Sequence, residues 1–173
     1  MAHDKQKDRL EQVREAVDCI LRQQPDSEQA RCGFVHLYGV ALLCVLLARK
    51  RNLDPQLCGI VGMLHDISSY ETGPAPDHPR LSAQEAERIL RQLRVFTGEE
   101  IRAITTGIAQ HGDKKRTDGP LAELLKDADV VQHYLYNPAI EPEHRGHPRL
   151  QHVFCELGMP ESTGPMLSTS SPK

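Results

Sequence analysis

The sequence predicts an all-α bundle of five to seven helices. Three observations predict it. Apolar residues recur at three- and four-residue spacing, helix start signals punctuate the chain, and no useful stretch alternates polar and apolar residues as a strand would.

Leu10, Val13, Val17, Ile20 and Leu21 lie at helical spacing between Asp4 and Gln24, and Pro25 ends that run. A second helix spans about Ser27 to Arg51. Its most apolar part, Gly33 to Ala48, is short for a bilayer span and reads as a central core helix. Asp54-Pro55 supplies an N-cap and a first-turn proline for a third helix through Leu57, Ile60, Val61 and Leu64 to about Asp66.

Residues 67–80 read as a loop, with Gly73, Pro74, Pro76 and Pro79. Ser82-x-x-Glu85 and Thr97-x-x-Glu100 are capping-box patterns. The first is expected to open a helix carrying Ala86, Ile89, Leu90 and Leu93; the second opens one carrying Ile101, Ile104 and Ile108 that ends near His111. A charged loop from Gly112 to Gly119 leads to Pro120, which opens a helix to about Tyr136, closed by Asn137-Pro138. The composition then becomes Pro-rich, with a short helix expected around Leu150 to Leu157 and a disordered tail from Pro160. The expected organisation is an N-terminal helix in 1–25, a main domain in 26–138 and an extension in 139–173.

A chain of 173 residues can bury a core without disulfide or metal staples. With 39% hydrophobic and 26% charged residues it is a soluble globular type. Its net charge of -3 argues against nucleic-acid binding driven by phosphate attraction. The five cysteines form no C-x-x-C pair, and residues 1–15 are almost wholly polar, so a reduced, cytoplasmic protein is expected. Nine histidines stand out, because histidine is the commonest metal ligand.

His36 shares a helix face with Val40, Leu43 and Leu47, and alone would read as a core histidine. His65-Asp66 closes the third helix. Asp127 lies on a stripe with Leu124, Val131 and Tyr134; a carboxylate among apolar neighbours needs a cation or several donors, the alternative being a buried ion pair to an arginine of another helix. Asp129 is off that stripe and reads as solvent-facing or capping. Lys126 reads as an outer-face residue. Two imidazoles and two carboxylates on three helices match a divalent transition metal: Mn, Fe, Co, Ni or Zn. One ion is expected, with two as the alternative.

The order His36, His65-Asp66, Asp127, in the strings "HLYGVALLCVLLARKRNLDPQLCGIVGMLHDI", "DHPRLSAQEAERIL", "IAQHGDK" and "LLKDADVVQHYLYN", resembles the HD-domain superfamily of metal-dependent phosphohydrolases, in particular its small stand-alone bacterial members. The resemblance covers about residues 28–138. It implies an HD-domain-like helical bundle, His36, His65, Asp66 and Asp127 as metal ligands, and hydrolysis of a phosphoester, often in a nucleotide. It further implies a second-metal or phosphate-binding role for His78 and His111. The Gly-Tyr-Pro signature of the cyclic-di-GMP branch is absent.

Asp66 and His111 are the expected catalytic residues: Asp66 would orient or deprotonate the water, and His111 or His78 would protonate the leaving oxygen. His78, His111, Arg31 and Lys114 are the expected substrate-binding residues. His3, His133, His144, His147 and His152 read as structural or incidental. The expected partner is a small phosphorylated substrate, with no membrane and no nucleic acid, and a homodimer stays open. The alternatives are a dinuclear enzyme of the diadenosine-tetraphosphate hydrolase or di-iron oxygenase type, and a non-catalytic metal-containing ligand-binding module.

Overall fold

The computed structural model describes residues 8–136 and 147–159. The Pro-rich segment around Pro138 and the tail from Pro160 lie outside the described residues. Among them are eight α-helices and no strand: α1 (Arg9–Arg22), α2 (Ser27–Lys50), α3 (Pro55–Leu64), α4 (Ile67–Glu71), α5 (His78–Leu93), α6 (Gly98–Gln110), α7 (Pro120–Tyr136) and α8 (Pro148–Glu156).

The starts follow capping chemistry. The side chains of Asp8, Asp26 and Asp54 accept hydrogen bonds from first-turn N–H groups of α1, α2 and α3. Thr97 and Glu100 close a reciprocal capping box on α6, at 3.2 and 2.8 Å. At the other end of α2, Asn52 adopts a left-handed φ of 56°, and the Leu53 N–H turns back to the Ala48 carbonyl.

Two local expectations are corrected. Residues 67–71 form the short helix α4 rather than loop. Ser82 does not open its helix: α5 starts at His78, and the buried Ser82 hydroxyl meets the Ser68 hydroxyl at 2.8 Å and accepts from the Ser68 N–H at 3.2 Å, tying α5 to the first turn of α4. A buried hydroxyl partner on another element outweighs a local cap.

α2 occupies the centre, packed most extensively on α3 and α7, while α5 pairs with α6. By length and composition α2 is long and apolar enough to cross a membrane; in the bundle His36, Leu37, Val40, Ala41, Cys44, Leu47 and Ala48 are buried. The α2–α3 crossing depends on Gly62, where a Cβ would lie 2.6 Å from the Ala41 Cα. That close approach carries His65, one turn later, up to His36.

α7 is buried from Leu124 to Gln132 on every face. Lys126, expected outside, is completely buried; its Nζ donates to the Arg116 carbonyl (2.8 Å), Asp118 (2.6 Å) and Glu123 (3.0 Å), and so anchors the 112–119 loop.

Candidate metal centre

Seven side chains from five parts of the chain converge between α2, α3 and α7. His36 comes from the middle of α2, and His65 and Asp66 from the end of α3. His78 opens α5, His111 caps the C-terminus of α6, and Asp129 and His133 come from α7.

Each of four imidazoles has its Nδ1 beside a carbonyl oxygen: His36 against the Gln132 side chain (2.8 Å), His65 against Gly62 O (2.8 Å), His78 against Ala75 O (3.2 Å) and His111 against Ile108 O (2.7 Å). An acceptor at that position requires the proton on Nδ1, which in the neutral imidazole leaves Nε2 as a lone pair. All four Nε2 atoms face Asp66, and those of His36, His65 and His111 also lie near Asp129. Asp66 Oδ2 lies 3.5 Å from His36 and 3.6 Å from His65, whereas its Oδ1 lies 3.4 Å from His78 and 3.2 Å from His111. Asp129 Oδ1 lies 3.7 Å from His36, 3.8 Å from His65 and 3.3 Å from His133.

Such a set repels itself. The His36 and His65 Nε2 atoms are 3.0 Å apart, so a proton or a cation must lie between them. Asp66 Oδ1 and Asp129 Oδ1 are buried and accept no hydrogen bond. Burial pushes His65 down to about 4, which keeps that imidazole neutral and able to ligate. Burial alone would raise Asp66 and Asp129, yet both are held below the usual carboxylate range by positive charge, from the surrounding histidines when they are protonated and from Lys114 beside Asp129; with the imidazoles neutral, a bound cation takes that place. Buried carboxylates without donors, facing bare imidazole nitrogens, are what a divalent cation satisfies. The residues fit a metal.

Asp127, expected as the fourth ligand, is elsewhere. Its Oδ2 pairs with Arg51 Nη2 and its Oδ1 with Arg149 Nη1, both at 2.8 Å, the ion pair that was the alternative reading. Two residues along a helix rotate the side chain by about 200°, so Asp129, not Asp127, faces the histidines. The apolar stripe could not discriminate, because α7 is buried on both of those faces.

His133, read as incidental, is also corrected: its ring lies 5.0 Å from that of His36. Lys114 does not face outward for substrate; its Nζ bonds Asp129 Oδ2 (2.5 Å) and the His111 carbonyl (2.9 Å), which turns Oδ1 of Asp129 toward the cluster. Arg31 is exposed and lies 3.6 Å from Glu28 of its own helix. No sequence signal singled out Gln132, whose spacing matched no motif.

The close contact of the His78 and His111 segments rests on Gly112, where a Cβ would lie 2.8 Å from Pro79 Cγ.

The HD domain family model matches residues 33–134, and the chain belongs to that family, in general one of metal-dependent phosphohydrolases that bind divalent cations. Ribonuclease Y of Chlorobium luteolum (strain DSM 273 / BCRC 81028 / 2530) is 31% identical over 96 residues, covering 56% of this chain and 17% of that protein. The chain thus spans less than a fifth of its relative's length. No solved structure matches the chain significantly.

Proposed function

We propose that the chain is a metal-dependent hydrolase of a phosphoester bond in a small phosphorylated metabolite such as a nucleotide, working in the cytoplasm with two divalent transition-metal ions. The observation that carries this reading is the convergence of four bare Nε2 atoms on two orphaned carboxylate oxygens. Asp66 favours two ions over one, because its two oxygens face separate histidine pairs. His36, His65, Asp66 and Asp129 would hold one ion, and Asp66, His78 and His111 the other.

Bound there, the cations would supply Lewis acidity toward a phosphoryl oxygen and toward water. The chain's own groups do the rest. Asp66, shared by both sets, orients the attacking water in line with the scissile P–O bond. Lys114 keeps Asp129 turned inward. As water oxygen bonds to phosphorus, the ester oxygen departs and takes up a proton. His111 is poorly suited to give it, being 2% exposed with its own proton held at Nδ1 by Ile108. His133 has a side chain 60% exposed and reaches the cluster from solvent, so it exchanges that proton.

The test is elemental analysis of the purified full chain, followed by a substrate panel: phosphate release from nucleotides and sugar phosphates, p-nitrophenol release from bis-p-nitrophenyl phosphate and, because of the ribonuclease relative, fragment length of a short RNA. Close to two equivalents of Mn, Fe, Co, Ni or Zn, with hydrolysis abolished by EDTA and restored by metal, is the expected result. A chain that takes up no stoichiometric metal and cleaves nothing in the panel overturns it. Cleavage of RNA alone would move the substrate from metabolite to nucleic acid.

A further inference from the structure

A cavity of about 180 Å³ opens beside the cluster, between α2, α7 and Tyr70. His36 and His133 form its inner wall, so whatever is esterified to a phosphoryl group at the cluster can extend into it. Its outer walls are Val35, Tyr70 and Tyr136. Val35 is 39% exposed and Tyr136 54%, two of the few large apolar side chains left open to solvent among the described residues.

The volume limits the occupant. An enclosed cavity of about 150 Å³ accepts benzene, so this one has room for a planar ring system, with the rest of the ligand outside it. The walls set the chemistry, since tyrosine rings and an apolar side chain favour a flat aromatic group. Gln132 adds polarity of one sign. Its Oε1 already accepts from His36 Nδ1, which turns the amide NH₂ into the remaining hydrogen-bonding group. A ring with an acceptor atom on its edge uses that donor.

We infer that this cavity is the subsite for a planar heteroaromatic ring carried by the substrate's alcohol portion, gripped by Val35, Tyr70 and Tyr136 and hydrogen-bonded by Gln132. The inference rests on the hydrolase reading and narrows its substrate class from any phosphoester to ring-bearing ones. On the opposite side the cluster borders a charged cavity of about 430 Å³ at His78, whose Arg80 and Arg116 are paired with Asp77 and Asp118. That side is walled by Pro76 and Pro79 and has no tyrosine ring to stack on.

The experiment measures binding separately from turnover. Calorimetry on the manganese-loaded full chain gives affinities for adenosine 5′-monophosphate, uridine 5′-monophosphate and phenyl phosphate against ribose 5-phosphate. Saturation-transfer NMR follows adenosine and uridine on the chelated chain. At least one ring-bearing ester should bind more than about tenfold tighter than ribose 5-phosphate, as stacking on aromatic side chains provides. Val35→Trp, which fills the cavity from its exposed wall, and Tyr136→Ala, which removes one face, should each bring that ratio near one. Leu42→Ala, exposed elsewhere on α2, should leave it unchanged.

Equal affinities for ring-bearing and ring-free esters, or a ratio indifferent to both cavity variants, overturn the inference. Turnover of all esters alike sinks the ring subsite while the hydrolase reading stands. Ring-dependent binding without any turnover does the reverse.

Discussion

Asp127 and Asp129 are two residues apart, both buried and both negative, and the structure gives them different work. Asn at each position separates those tasks. Asp127, with a side chain 6% exposed, joins Arg51 of the α2–α3 connection to Arg149 of α8, each at 2.8 Å. Breaking a buried pair costs about 3–5 kcal/mol. Here each arginine keeps a second carboxylate, Glu156 at 2.7 Å and Glu123 at 2.9 Å, so the lower end applies. For a chain of this size, a loss of about 3 kcal/mol lowers Tm by roughly 6–12 °C.

Asp127→Asn should therefore melt early yet retain its full metal content. Asp129→Asn should lose at least one ion per chain. Its chelated form should lose less Tm than Asp127→Asn, because it breaks one ion pair to a lysine rather than two to arginines, and Lys114 keeps the His111 carbonyl at 2.9 Å as a partner. Differential scanning calorimetry with and without EDTA, paired with elemental analysis after metal loading and gel filtration, reads both quantities. Metal lost from Asp127→Asn and retained by Asp129→Asn would refute the assignment.

Three further outcomes are expected. Gln132→Leu removes the acceptor that holds the His36 proton at Nδ1, and should weaken metal affinity by about 10–100-fold without loss of helical circular dichroism; unchanged affinity in a metal-competition titration would deny Gln132 that role. Gly62→Ala places a methyl against the Ala41 backbone and should cost about 1–3 kcal/mol in urea unfolding while lowering metal content, since it drives His65 from His36; a neutral result would show that the crossing has slack. Burial raises the Cys44 thiol well above its ordinary range, so maleimide at neutral pH should label the exposed Cys19 and Cys155 and spare Cys44 until the chain is denatured; mass spectrometry of peptides from labelled native protein decides it.

The order of ligands along the chain was legible because helices write themselves locally. His36 falls mid-helix, His65 and His111 fall at helix ends, and His78 follows a run of prolines, all readable from spacing and punctuation. What spacing cannot carry is rotation about a helix that has no solvent side. α7 buries Lys126, Asp127, Ala128 and Asp129 together, so its apolar pattern points nowhere in particular, and the ligand was read two positions early. Lys126 was misplaced for the same reason. The roles of Gln132 and Ser82 depend on partners 96 and 14 residues away, and pairings of that kind leave no trace in local periodicity.

Of the four imidazoles whose Nδ1 meets a carbonyl oxygen, three are oriented by the carbonyl three residues earlier in their own chain: Gly62, Ala75 and Ile108. A carbonyl belongs to every residue type, so no side-chain replacement at those positions deletes the acceptor. The aim of His65, His78 and His111 is thereby insulated from most point mutations. His36 alone takes its aim from another side chain, and that side chain also lines the cavity. Besides the cluster histidines His36 and His133, Gln132 is the cavity position where a change in substrate preference would also reach the metal, and there selection on the two should collide.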